Sequence, residues 1–374
     1  MKCVYYLSIG LITAKKFLVT SVNNDSSITN SLNNVENIHI GDITISVMDF
    51  NDFPLFLFEN KNVLSIEPDS KVSISEQLRF IGYDPISEPY LGKTYLVQDQ
   101  PGWNLDRIDQ RNLPLNEKYF YEVESGRNVD VYVIDTGVDI SHPEFQGRAV
   151  WGANFIDGIN TDCNSHGTHV AGTVGSKTYG VAKNVNIVAV KVLDCAGSGV
   201  FSAVLKGFEY VINQSKKSKN PVVVNMSLGG GKSRTIDTAM SQMLKNGIHI
   251  VVAAGNENSD ACNTSPASHP GVITVGATTK LDTKAPFSNW GSCVNILSPG
   301  TEILSTVPGG KIKYLQGTSM ASPAVAGVLA VLLSENPTFS TDAMKRVLSN
   351  SCTRSVVTGF PESTVNCLIY SLAF

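Results

Sequence analysis

Three glycine-flanked segments of this chain carry side chains that could share one reaction. The apolar run Val131-Tyr132-Val133-Ile134 leads into Asp135-Thr136-Gly137, which puts a carboxylate at the carboxyl end of an expected strand. Open α/β sheets build their sites at that end. The segment Asn164-Ser165-His166-Gly167-Thr168-His169-Val170-Ala171-Gly172 has small residues that let a helix start close against a sheet, with His166 at its head. Gln316-Gly317-Thr318-Ser319-Met320-Ala321-Ser322-Pro323 runs into an apolar helix at 324–333, so Ser319 stands where a helix N-terminus favours developing negative charge. Taken singly, Asp135 reads as a capping or loop acid, Ser319 as a helix cap and His169 as a packing histidine. Asp135, His166 and Ser319 together supply a nucleophile, a base to take its proton and an acid to orient that base.

Other chemistries fit the same residues less well. His166 and His169 lack the H-E-x-x-H frame and the nearby third ligand of a zinc site. Gly229-Gly230-Gly231-Lys232-Ser233 has the tail of a phosphate-binding loop, but Met226 stands where its first glycine belongs. Ser319 is not in a G-x-S-x-G frame, which argues against an esterase or lipase. The 29 basic and 33 acidic residues give a net charge of −4 and form no basic stripe, so nucleic acid is not an expected partner.

The elements that must position these groups follow from the hydrophobic pattern. After Trp103, short apolar runs recur at 129–134, 185–193, 221–228, 247–254 and 272–277, each bounded by Gly, Asp or Asn. Strands so uniformly apolar belong to a parallel sheet covered on both faces. Helical stretches at 201–214 and 235–245 lie between them, and the alternation predicts a doubly wound parallel α/β domain at 102–374. Ahead of it, Ile43, Ile45 and Val47 alternate with polar residues, and Val63, Ile66, Val72 and Ile74 flank a Glu67-Pro68-Asp69-Ser70 turn. Phe53 and Phe58 bound an apolar cluster that needs a partner surface. Residues 15–75 therefore read as a small α+β module, and the Pro- and Gly-bearing stretch 76–101 as a linker open to proteolysis.

Lys2 precedes an apolar run at 3–14, which is closed by Lys15 and Lys16. Such a run is too short to span a bilayer but suits a signal peptide, with Ala14 as a cleavage point. Export agrees with the cysteines. Cys3 leaves with the leader, and an even set of six remains, as in proteins of oxidising compartments.

From Trp103 to the end, the chain resembles the subtilisin-like serine proteases, and most closely the secreted aqualysin-like members of the proteinase K branch. The resemblance is carried by Trp103-Asn104-Leu105-Asp106-Arg107-Ile108-Asp109-Gln110, Asp135-Thr136-Gly137, His166-Gly167-Thr168-His169, Asn225-Met226-Ser227-Leu228-Gly229-Gly230, Ala253-Ala254-Gly255-Asn256 and Gly317-Thr318-Ser319-Met320-Ala321. The order Asp…His…Ser is that of the subtilisins. The resemblance implies a subtilisin-like fold, Ser319 as nucleophile, His166 as general base and acid, Asp135 as its orienting carboxylate and Asn256 as oxyanion donor. Alone, Asn256 would read as a turn residue after a buried strand.

The resemblance also implies how substrate binds. Gly197-Ser198-Gly199 and Ser227-Leu228-Gly229 match the two backbone segments that hold an extended peptide between them. The specificity pocket falls between 227–229 and Ala253, Ala254, Gly255 and Asn256, whose small apolar walls imply hydrophobic or aromatic residues before the scissile bond. Glu257 at the rim would also admit basic ones. Cys163 with Cys195 and Cys262 with Cys293 match aqualysin-like disulfides, which leaves Cys352 and Cys367 for each other. The catalysis needs no cofactor, whereas structural calcium is implied at two places. Asp106, Asp109 and Gln110 match part of one site, with Asn116 and Lys118 where further ligands would stand. Pro270 and Val272 match main-chain ligands of a second, which has Asn295 in place of an Asp. The residues 15–75 resemble the family's inhibitory propeptide, most in Ile66-Glu67-Pro68-Asp69. The whole reads as a secreted, monomeric endopeptidase acting on proteins or peptides, made as a self-processing zymogen with its own propeptide as inhibitor. The alternative is a secreted binding protein on the same fold, permanently capped by its own N-terminal module.

Overall fold

A run in which every residue is apolar can be a stable strand only where protein covers both faces of the sheet. The computed structural model describes the strands Lys16–Val22, Glu36–Ile40, Ile43–Asp49, Val63–Pro68 and Pro89–Tyr90, and residues 93–371 except position 200. Its main sheet has nine strands, of which the seven longer ones run parallel: β1 (Asp130–Asp135), β2 (Ala149–Asn154), β3 (Asn186–Lys191), β4 (Val222–Met226), β5 (His249–Ala253), β6 (Ile273–Thr278) and β7 (Ile296–Pro299). They lie in the order β2-β3-β1-β4-β5-β6-β7. The short strands Cys367–Leu368 and Thr353–Arg354 extend the sheet beyond β7.

Both faces are indeed covered. Val131 and Val133 of β1 pack into one core, with helices α1 (Trp103–Ile108), α2 (His166–Gly175) and α5 (Thr318–Glu335). Tyr132 and Ile134 pack into another, with α3 (Phe201–Ser215) and α4 (Arg234–Lys245). Among the described residues, α5 alone is long and apolar enough to cross a membrane. However, 78% of it is buried inside the protein, as the central helix of a core.

The chain runs outward from β1 through β2 and β3, then returns to build β4 on the other side of β1. The carboxyl end of β1 is therefore a topological switch point, where crevices form in such sheets. Asp135 is the last residue of that strand.

The five expected runs all lie on strands, with ends within a few residues of the expected ones. Strands β2 and β7 were not anticipated. The first is interrupted by Gly152, and the second is only four residues long and ends in Pro299. Within the stretch expected as linker, Lys93–Asp99 forms a strand paired antiparallel with Lys118–Glu122. Its Tyr95-Leu96-Val97 core favours a strand over an exposed connection.

The chain divides into two units, Met1–Gly82 and Tyr83–Phe374. In the first, four antiparallel strands lie in the order Glu36–Ile40, Ile43–Asp49, Lys16–Val22, Val63–Pro68. The expected leader at 1–14, the cluster at 53–58 and the positions Val72 and Ile74 lie outside the described residues.

Three disulfides close the second unit: Cys163–Cys195, Cys262–Cys293 and Cys352–Cys367. The first two each span about thirty residues, so the chain-entropy model assigns each roughly 3–4 kcal/mol.

Candidate active site

Helix α2 begins where the loop after β1 leaves room for it. A Cβ on Gly167 would stand 2.0 Å from the Gly137 carbonyl oxygen, so only glycine allows the helix head to come this close. The buried Asp162 carboxylate then caps the helix. One oxygen accepts the N–H groups of Asn164 and Ser165 and the Thr136 hydroxyl, and the other accepts the N–H and hydroxyl of Thr168. Thr136 Oγ1 in turn accepts the Gly167 N–H at 2.9 Å.

This seat brings His166 onto Asp135, with Nδ1 2.7 Å from Oδ1. The carboxylate is fully buried, while about a quarter of the imidazole side chain is exposed. Burial depresses the His166 pKa, but the Asp135 charge and hydrogen bond, with the Asp162 charge, outweigh it and raise the pKa above that of a free histidine. Lys191, at the end of β3 and fully buried, braces the same loop. Its ammonium donates to the Thr136 and Leu193 carbonyls at 2.9 and 2.8 Å and lies 3.5 Å from Asp157.

Ser319 is the second residue of α5, and its hydroxyl donates to the Ser227 carbonyl at 3.2 Å. His166 is not among its hydrogen-bond partners in this structure. Four residues on, Pro323 has no N–H to give the Ser319 carbonyl its helical bond. Ser227 Oγ supplies that bond at 2.8 Å and is itself held by Asn225, which also accepts the Ser322 hydroxyl. The proline thus frees an acceptor that ties the serine to the end of β4.

Beside it, Asn256 Oδ1 accepts both the N–H and the hydroxyl of Thr318, at 2.8 and 3.0 Å. That fixes the acceptor end of the amide and leaves Nδ2 as the free donor end. In the first turn of α5, Asn256 takes the Thr318 N–H and Gly317 the N–H groups of Met320 and Ala321. The Ser319 N–H has no such acceptor among the described residues, as expected of a helix N-terminus.

Two cavities meet here and share the segment 227–231. One, of ≈ 460 Å³, is lined by 227–231, 253–257, 264–267, Thr318 and Ser319. The other, of ≈ 740 Å³, contains His166, Leu193, 196–199 and Phe201. The anticipated peptide-binding and pocket segments therefore all border these cavities. The wall at 264–267 was not anticipated, because nothing in Thr264-Ser265-Pro266-Ala267 marks it as more than a turn. Glu257 Oε2 accepts from Asn289 Nδ2 at 2.8 Å, which holds the carboxylate at the rim.

The two calcium positions differ in their fit. At the first, Asp109 Oδ1 and Gln110 Oε1 are buried acceptors without hydrogen-bond partners, as a hard cation requires. Burial, with the nearby Asp106 charge, pushes the Asp109 carboxyl up to about 7 against the Phe120 N–H that it accepts. Asp106 itself is committed to the N–H groups of Asn116 and Glu117. At the second, the Pro270 carbonyl accepts the Lys345 ammonium at 2.6 Å, and Asn295 Oδ1 accepts the Thr274 N–H. A protein cation and a neutral amide stand where that site calls for a metal and a carboxylate, so these residues do not fit calcium.

The model of the Subtilase family matches residues 126–365. The chain is 45% identical over 309 residues to alkaline serine exoprotease A of Vibrio alginolyticus, a match spanning 82% of this chain and 56% of that protein. It is 47% identical over 300 residues to cerevisin of Saccharomyces cerevisiae, which covers 74% of this chain and 47% of cerevisin. The chain thus spans about half the length of these two relatives. A crystal structure of a cold adapted subtilisin-like serine proteinase superposes with a TM-score of 0.70 at 48% identity, over 74% of this chain and all of that one. By family model, relatives and fold alike, this chain belongs to the subtilase family.

Proposed function

We propose that this chain is a secreted serine endopeptidase in which Ser319, His166 and Asp135 form the triad and Asn256 the oxyanion donor. The observation that carries the reading is the His166–Asp135 hydrogen bond at the switch point, beside a serine at a helix head in an open cleft. Substrate runs as an extended strand between 197–199 and 227–229, with the residue before the scissile bond in the ≈ 460 Å³ cavity. Small apolar walls there favour hydrophobic or aromatic side chains. The Ser319 hydroxyl turns from the Ser227 carbonyl to His166, which takes its proton as the oxygen attacks the peptide carbonyl. Asp135 holds the ring's Nδ1–H and stabilises the imidazolium. The tetrahedral oxygen receives the Ser319 N–H and Asn256 Nδ2–H. Losing such an amide costs on the order of 10²–10³ in turnover, a magnitude measured in a subtilisin rather than derived from this cleft. His166 then protonates the leaving amine, and water repeats the sequence on the acyl-enzyme.

The N-terminal unit acts as an inhibitory propeptide, removed by Ser319 acting on its own chain ahead of the strand that starts at Lys93. Parallel sheets fold slowly because their contacts are non-local, which gives such a unit a use as a folding aid. A serine-reactive phosphonate should label the secreted, shortened chain and should fail on Ser319→Ala, which should also keep its N-terminal unit. Unlabelled wild type with that unit retained would instead indicate a capped binding protein.

Because the Asp135 charge raises the His166 pKa, the base becomes neutral, and kcat/KM rises, at a higher pH than a free histidine would set. In Asp135→Asn that limb should move to lower pH, with kcat down on the order of 10⁴. A limb that stays in place would rule out this pairing as its cause.

Glu257 at the rim is proposed to admit basic residues beside apolar ones. Glu257→Gln should lower kcat/KM for peptides with Arg before the scissile bond by about 2–5-fold and leave Phe peptides unchanged. Equal effects on both would remove Glu257 from the specificity.

Calcium is proposed at Asp109 and Gln110, where it would neutralise a buried carboxylate. Calcium at about 100 times its Kd would add roughly 2.7 kcal/mol, or about 5 °C of Tm. The comparison is made in Ser319→Ala, which prevents autolysis, with and without chelator. An unchanged Tm would exclude the site.

A further inference from the structure

His169 follows His166 by one helical turn, and the proposed reaction makes no use of it. The ring is fully buried, with Nε2 2.9 Å from the Ile303 carbonyl oxygen and 3.0 Å from that of Lys313. Carbonyl oxygens only accept, so Nε2 carries the ring's proton and shares it between the two. They belong to the two opposed strands of one hairpin, Ile303–Val307 and Lys311–Leu315. The hairpin's hydroxyls answer in kind: Ser305 Oγ donates to the His169 carbonyl and Thr306 Oγ1 to that of Thr168, each at 2.9 Å. Glycine at 172 permits this approach, since a Cβ there would lie 2.1 Å from Thr306 Oγ1.

The hairpin leads directly to the nucleophile. After Leu315 the chain passes through Gln316 and Gly317 to Ser319, and the Gly317 N–H closes the base of the hairpin on the Gly300 carbonyl at 2.8 Å. One end of the His169 contact is thus the helix that carries His166, and the other is the hairpin whose exit delivers Ser319. We propose that His169 is a positioning residue that sets the separation of His166 from Ser319 by locking this hairpin to α2. The inference rests on the triad proposed above. A misplacement of 1 Å between reacting groups can cost about 10² in rate, so a link of this kind acts on the chemical step more than on substrate binding.

The test makes His169→Leu, His169→Gln and His169→Asn in the full-length chain and labels the secreted product freed of its N-terminal unit. Phosphonate labelling of Ser319 is resolved into an inactivation rate constant and a binding constant, on protein shown to be folded by near-UV circular dichroism. In the leucine variant the rate constant should fall about 10²-fold, with binding changed less than about threefold. Glutamine, whose amide carries two hydrogens and can reach both carbonyls, should restore at least about tenfold of the loss. The shorter asparagine should not. A folded leucine variant that labels at the wild-type rate, or glutamine no faster than leucine, would overturn the proposal. Should leucine fail to fold, the glutamine–asparagine pair decides alone, and equal rates overturn it. Absence of labelling in the wild type would instead strike the triad itself, and this inference with it.

Discussion

The head of α2 rests against the turn after β1 so closely that a single carbon on Gly167 would reach within 2.0 Å of the Gly137 carbonyl oxygen. The rest of the site depends on that approach. It allows Thr136 Oγ1 to accept the Gly167 N–H and Asp162 to cap the helix from below, and so holds His166 on Asp135 with little freedom. A histidine–carboxylate bond at the edge of solvent is worth little unless its geometry is imposed. Here the geometry is imposed by packing, and the buried carboxylate raises the pKa of a ring that is still partly open to the cleft.

The helix that carries Ser319 is tied in by an equivalent economy of backbone groups. Proline in the interior of a helix is usually a cost, because it leaves a carbonyl without its donor. In α5 the carbonyl so released belongs to Ser319, and the hydroxyl of Ser227 takes it. That one bond joins Ser319 to the segment proposed to hold substrate, with Asn225 and Ser322 completing a buried chain behind it. Asn256 works similarly at the other side, since Thr318 occupies its oxygen and so determines which end of the amide faces the cleft.

Ammonium groups recur where main-chain carbonyls converge. Lys191 gathers the carbonyls of Thr136 and Leu193, Lys183 those of Lys177 and Gly180, and Lys345 that of Pro270. Burial pushes the Lys183 amine down to about 7, which measures how far it is removed from water. At Pro270 the lysine stands where the family resemblance suggested a metal, so a covalently attached cation meets the carbonyl's need without depending on dissolved calcium. Around Asp109 and Gln110, by contrast, two buried acceptors remain without a donor.

Much of this was legible in the residues alone. Apolar runs without polar alternation implied a sheet buried on both faces, and five of its nine strands were found that way. Asp135, His166, Ser319 and Asn256, the residues proposed for the chemistry, could be named because their motifs are long and ordered. The strand Lys93–Asp99 was hidden by neighbouring prolines, and β7 by its own brevity. The wall at 264–267 and the hydrogen bonds of His169 left no mark, because they depend on partners far away in sequence, such as Ile303, 134 positions beyond His169. The sequence by itself named the groups proposed to carry the chemistry and determined which stretches are strands or helices, since these follow from residue type and local period. Only the tertiary structure decided which hydrogen-bonding groups meet, which carbonyls are met by lysines, and which histidine faces the cleft and which the core. Those outcomes depend on distances between segments that no local pattern encodes.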